Sequence, residues 1–154
     1  MKTRSRSLLT SLVAFLLIFA LIYPIHASTV ESRASDYLNT YGAYVYPTGW
    51  YKVQVWFNVD GVTYMDEIGA LTVWLYESSD NENWTLVKTF KHTDYPDMLG
   101  YNDYYHSGHV EYPGAIGKYY KAYISVWAGK DGDGDTRYFW TSPVKATLFA
   151  ASRT

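Results

Sequence analysis

Side-chain character that alternates with period two, with no helical stripe anywhere beyond residue 27, most constrains what this chain can fold into. From Trp50 to Asp60, Tyr51, Val53, Val55, Phe57 and Val59 share one side, and Lys52, Gln54, Asn58 and Asp60 share the other, with Trp56 among them. Successive side chains of a strand point to opposite faces, so this run reads as a half-buried strand. Tyr41–Tyr46 is a shorter strand before it, joined through Pro47-Thr48-Gly49. Ala70–Ser78 is apolar on both faces, as a central strand is, and Asp66-Glu67 before it read as loop charge. After the turn residues Ser78–Asn83, Trp84–Lys91 returns as a strand. The alternation is lost from His92 to Gly108, which reads as a long Tyr-rich loop, and resumes around His109–Tyr112. Lys118–Ala128 alternates Tyr120, Ala122, Ile124 and Val126 against Tyr119, Lys121, Tyr123, Ser125 and Trp127. Gly129–Thr136 reads as a hairpin loop, and Arg137–Phe149 as the closing strand, with Pro143 at a bulge or edge. About seven strands without intervening helices imply an all-β, single antiparallel β-sandwich over residues 38–150.

The first 27 residues are of another kind. Lys2, Arg4 and Arg6 precede an uncharged apolar run from Leu8 to Ile22, followed by Pro24 and the small pair Ala27-Ser28. That is the layout of a secretory signal peptide, and the run is shorter than the ~20 residues of a membrane-spanning helix. Cleavage after Ala27 is expected, with Ala34 as an alternative site. Residues 28–37 then form a short lead to the domain, and the protein is expected to be secreted.

Removing residues 1–27 from 154 leaves 127 residues, the size of one domain. Three of the 13 basic residues leave with the leader, so ten face 15 acidic ones and the net charge is about −5. The bases are scattered singly, which argues against nucleic acid and against any membrane association beyond export. Cysteine is absent, so the core and hydrogen bonds, or a metal, must hold the fold, and no lipid-attachment Cys follows the leader. Beyond the leader 16 Tyr, 6 Trp and 4 Phe stand among 127 residues, well above ordinary usage. Strands favour such residues, and so do binding surfaces.

Two local features carry a resemblance. Gly117-Lys118-Tyr119-Tyr120-Lys121-Ala122 resembles the tyrosine corner that opens the sixth strand of immunoglobulin-like domains, and Trp74 is placed as a core tryptophan. The sandwich is therefore expected to be immunoglobulin- or fibronectin-III-like. Several further stretches, among them Ala34–Leu38, Tyr64–Ala70, Leu75–Asp80, Asp97–Asn102, Ala128–Gly132 and Thr136–Tyr138, give the chain a resemblance to a family of small secreted proteins of Gram-positive bacteria, a domain of unknown function. That resemblance implies export and one domain. It carries no activity, ligand or catalytic residue.

Four constellations bear on chemistry. Asp131, Asp133 and Asp135, separated by Gly132 and Gly134, could wrap calcium as the first half of an EF-hand loop does. The sixth and twelfth positions of that loop would be Thr136 and Ser142, however, and an acidic Gly-rich turn explains the same residues. His92, Asp94, His106 and His109, with Asp97 and Asp103, form a His-and-carboxylate group, although His106 and His109 point to opposite faces of any regular strand. Asp66, Glu67, Glu77 and Glu111 supply carboxylate pairs of the sort a glycosidase uses, as any small acidic domain would. Neither a nucleophilic Cys nor a Gly-x-Ser-x-Gly elbow is present.

The aromatic row Tyr119, Tyr123, Trp127 on the outward side of one strand is the favoured ligand-binding surface, because sugar rings stack on such rows through their apolar C–H faces. The expectation is a secreted, non-enzymatic binding module for an extracellular glycan, with no cofactor unless calcium. The alternative is a protein-interaction or structural module using the Tyr-rich segment 92–108, and a secreted hydrolase stands behind both.

Overall fold

The computed structural model describes residues 35–49 and 51–147. The expected leader, both expected cleavage sites, most of the lead and the end of the last expected strand lie outside the described residues. The elements are β1 (Leu38–Gly49), β2 (Lys52–Ser78), β3 (Thr85–Lys91), a single 3-10 turn (Pro96–Met98), β4 (Leu99–Pro113), β5 (Tyr119–Lys130), β6 (Asp133–Trp140) and β7 (Val144–Lys145). All seven strands pair antiparallel in one sheet that curls into a half-barrel. Among the described residues no helix is long and apolar enough to cross a membrane.

β2, 27 residues long, organises the sheet. Its first half lies between β1 and β4, with Val55 opposite Val45 on one side and Val110 on the other. Its second half lies between β5 and β3, with Val73 opposite Ile124 and Phe90. Partners change over residues 61–71, where the register to β4 shifts between Asp60 and Met65 and the register to β5 between Ala70 and Thr72. Extra residues at such shifts bend a strand and raise its twist. The two halves thus turn their apolar sides onto one core. Val53, Val55, Phe57 and Val59 from the first half meet Ile68, Val73 and Leu75 from the second, with Tyr120, Ile124 and Val126 of β5, all buried. Each such side chain taken from water contributes about 1.5–3 kcal/mol, so the core can hold the fold in a chain without cysteine.

Five sequence expectations are corrected, the closing strand last. The loop charge at Asp66-Glu67 lies inside β2, because Met65 and Ile68 on either side are buried and their backbone is paired. The long loop 92–108 is a strand from Leu99 onward. Tyr101 to Tyr105 are all exposed, so neither face of that stretch shows the apolar pattern of a half-buried strand. The hairpin loop 129–136 contracts to the two residues Asp131-Gly132, whose φ values of 53° and 83° suit the tight turn that matches strand twist. Trp74 is not in the core: Val73 and Leu75 take the inward places and leave it on the outer face.

The closing strand breaks in two. β6 ends at Trp140, and the Thr141 amide and hydroxyl then bond to the backbone of Ala122, at 2.9 Å each. Pro143 follows before the short β7 pairs with Tyr119 and Tyr120.

At the start of β5 the buried Tyr120 is anchored through its hydroxyl. The Tyr120 hydroxyl accepts the Ala115 amide at 2.7 Å and donates to Glu77 Oε2 at 2.6 Å. Burial, and the carboxylate beside it, push the phenol well above its ordinary value. Glu77 also faces Lys118 at 3.6 Å.

Candidate binding faces

With alternate residues committed to the core, the outer face of β3, β2, β5 and β6 receives an unusual set of rings. Register places Trp74 beside Tyr123, and Tyr123 beside Trp140. The Tyr123 ring lies 5.6 Å from Trp74, 4.8 Å from Trp140 and 6.0 Å from Tyr138, while Tyr76 lies 5.1 Å from Trp140. Offset and tilted rings at such separations attract one another beyond their shared burial. The outer members stay wet, Tyr138 at 57 % and Trp140 at 50 % exposure. At one end the Lys121 ammonium sits 4.3 Å from the Trp84 ring and 4.6 Å from that of Trp140. Two indoles on one ammonium hold a flexible side chain in place without neutralising its charge.

The expected row along β5 is thereby redrawn. Tyr119, Tyr123 and Trp127 are each half-buried, and of the three Tyr123 joins the cluster. Tyr119 carries Lys145 over its ring at 5.2 Å. Trp127 lies across Gly129 and Gly134, filling the space a Cβ would need at either. The aromatic cluster runs across the strands, through Trp74, Tyr76, Tyr138 and Trp140. One sequence signal pointed there: a two-residue Asp131-Gly132 turn sets the register that puts Trp140 opposite Tyr123.

A second outer face lies over β1, β2 and β4. Trp56 stacks on His109 with centroids 4.4 Å apart and donates its indole N–H to Gln54 Oε1 at 2.9 Å. Gln54 donates in turn to Glu111 at 2.5 Å, which also faces Lys52 at 3.3 Å. Those donors, Gln54 first, hold the Glu111 carboxyl below its ordinary range. The side chains here are tied to one another.

The tyrosines expected on a loop stand instead on and near β4. Tyr101, Tyr104 and Tyr105 are exposed, and Tyr64 of β2 meets Tyr104 edge-on at 5.5 Å. Tyr95 packs edge-on against Phe90 at 5.2 Å.

The expected metal groups do not assemble. Among the described residues no cluster of three or more His, Asp or Glu side chains is placed to hold a metal ion. Asp131 occupies the turn, where its amide donates to Asp66 Oδ2 at 2.7 Å. Asp133 accepts the Gly134 amide at 2.8 Å, and Asp135 accepts the Ser35 hydroxyl and faces Arg137 at 3.5 Å. The histidines are dispersed: His92 Nδ1 lies 3.1 Å from the Leu71 carbonyl, His106 Nε2 lies 3.0 Å from the Asp97 carbonyl, and His109 is under Trp56. Asp94, Asp97 and Asp103 are exposed around them. Of the carboxylates weighed for hydrolysis, Asp66 and Glu67 are exposed, while Glu77 and Glu111 bond to the neighbours given above. A dimple lined by Pro47, Lys52, Gly114 and Ala146 has room for about one water molecule.

Comparison with protein-family models found no match, and a search of curated proteins returned no similar sequence.

Proposed function

We propose that this is a secreted, non-enzymatic binding module whose ligand is an extracellular glycan, held on the outer face of β2, β5 and β6. The observation that carries the reading is the cross-strand cluster of Trp74, Tyr123, Tyr138 and Trp140, whose rings lean on one another and stay half-open to solvent. A sheet holds these rings rigidly, so little side-chain entropy is lost when a ligand stacks on them.

The reading extends to the architecture, a fibronectin-III-like sandwich in which two successive strands have fused into β2. Its support is the pairing: β1–β2–β4 around the first half, β3–β2–β5–β6 around the second, and the tyrosine corner at the start of β5. Export rests on the charged-then-apolar layout of residues 1–27.

A second reading, a protein-interaction module, is favoured by the exposed tyrosines Tyr64, Tyr101, Tyr104 and Tyr105. The two are separable by electrophoresis through gels containing different polysaccharides. Glycan binding predicts retardation by at least one polymer, lost in Trp140→Ala and kept in Tyr104→Ala, with unchanged circular dichroism in both. Unaltered mobility in every gel would remove the glycan reading and leave the tyrosines of β4 as the surface to pursue.

A further inference from the structure

The distribution of charge around the platform narrows the ligand. Three registered rows cross this face, from Lys91 on β3 to Tyr138 on β6, from Thr89 to Trp140, and from Leu86 to Lys121. None of them contains an Asp or Glu, although the chain has 15 acidic residues against 13 basic ones. The acids nearest in sequence are engaged or set aside at the strand ends. Glu77 is turned to the Tyr120 hydroxyl and Lys118, Asp80 is held by the side chain and amide of Asn83, and Glu82 lies in the same turn. The other half of the sheet carries Asp60, Asp103 and Glu111 instead. A cationic, acid-free aromatic face on an otherwise acidic protein is a matter of placement, because the bulk charge runs the other way.

Lys121 is the focus of that charge. Its ammonium is held between Trp84 and Trp140, beside the rings a sugar would stack on, and no carboxylate pairs with it among the described residues. Lys121 and Tyr123 stand two residues apart on one strand face, ~7 Å. The Lys121 ammonium itself lies 4.6 Å from the Trp140 ring centre, so a carboxylate borne on a sugar beside that indole would come within reach of it.

The geometry points to a glycan built of uronic acids, its rings stacked on Tyr123 and Trp140 and a carboxylate received by Lys121, with Lys91 at the far side of the face adding to the attraction. A carboxylate is favoured over a phosphodiester because the uronate bears its charge on the same ring that stacks. This inference rests on the glycan reading above and specifies its ligand class.

The test compares two forms of one polymer, polygalacturonate and its neutral methyl ester, in affinity electrophoresis of the exported protein. The expected result is binding about 10-fold tighter to the acid form, a preference that shrinks as salt is raised. Lys121→Gln should bring the two forms within about twofold with circular dichroism unchanged, and Lys121→Arg should keep the preference. Equal retardation of the wild-type protein by acid and ester would overturn the uronate inference and leave glycan binding intact. Binding to neither form, with binding to some other neutral polysaccharide, would overturn it as well. Binding to no polysaccharide of any kind would remove the underlying reading along with it. If Lys121→Gln proves unstable, Lys91→Gln provides the independent variant, expected to narrow the preference for acid over ester about threefold.

Discussion

Tyr120 has no solvent-exposed surface, yet its hydroxyl has two partners, the Ala115 amide and the Glu77 carboxylate. Removing that oxygen in Tyr120→Phe leaves a backbone donor and a carboxylate short of a bond, and the second partner is charged. Chemical denaturation should register a loss of about 2 kcal/mol, with the packing of the ring retained. A loss under ~0.5 kcal/mol would mean that water replaces the hydroxyl freely and that the corner is not a structural anchor. Tyr120 was legible in the sequence, because Gly117-Lys118-Tyr119-Tyr120 stands just before a strongly alternating run. Trp74 was not. Its neighbours on both faces are apolar, so the alternation of Ala70–Ser78 could not say which side faced inward. The inward side goes to Val73 and Leu75, which pair with Phe90, Ile124 and Ala122 of the flanking strands.

At the scale of elements, the decisive feature is the passage of β2 from one pair of neighbours to the other. Gly69 sits in that passage with φ of 147°, and a Cβ there would run into the Met98 carbonyl and the Leu99 backbone as β4 begins. Gly69→Ala should therefore cost about 2–3 kcal/mol in thermal or chemical unfolding, from backbone strain and the forced separation of β2 from β4. A neutral substitution would show that the chain crosses here with room to spare. Strands whose one face is buried were readable from alternation: the first half of β2 and β5 stand where the sequence put them. What escaped was structure in which both faces meet solvent. The stretch Tyr101–Tyr105 pairs as a strand with exposed side chains, and Asp66-Glu67 lies in a paired strand although its polarity is that of a turn. Backbone pairing leaves no periodic trace where burial supplies none.

For the molecule as a whole, the curled sheet has two outer surfaces of different chemistry. Over β1, β2 and β4 the side chains form a closed polar chain, Lys52–Glu111–Gln54–Trp56, capped by His109. Over β3, β2, β5 and β6 the rings lean on one another and lysine supplies the charge. The sequence announced an aromatic surface and one of its members, Tyr123. Its direction across the strands depended on pairings between residues more than forty positions apart, such as Trp74 with Tyr123, which local patterns do not encode. The two surfaces also provide a built-in control, since each contains tryptophan. The most direct measurement is a titration of the isotope-labelled protein with trigalacturonate, following the indole N–H signals by NMR. Binding on the aromatic face should shift the signals of Trp74, Trp84 and Trp140 while Trp56, bonded to Gln54 on the other surface, stays still. Movement of Trp56 alone, or of no indole at millimolar ligand, would contradict it.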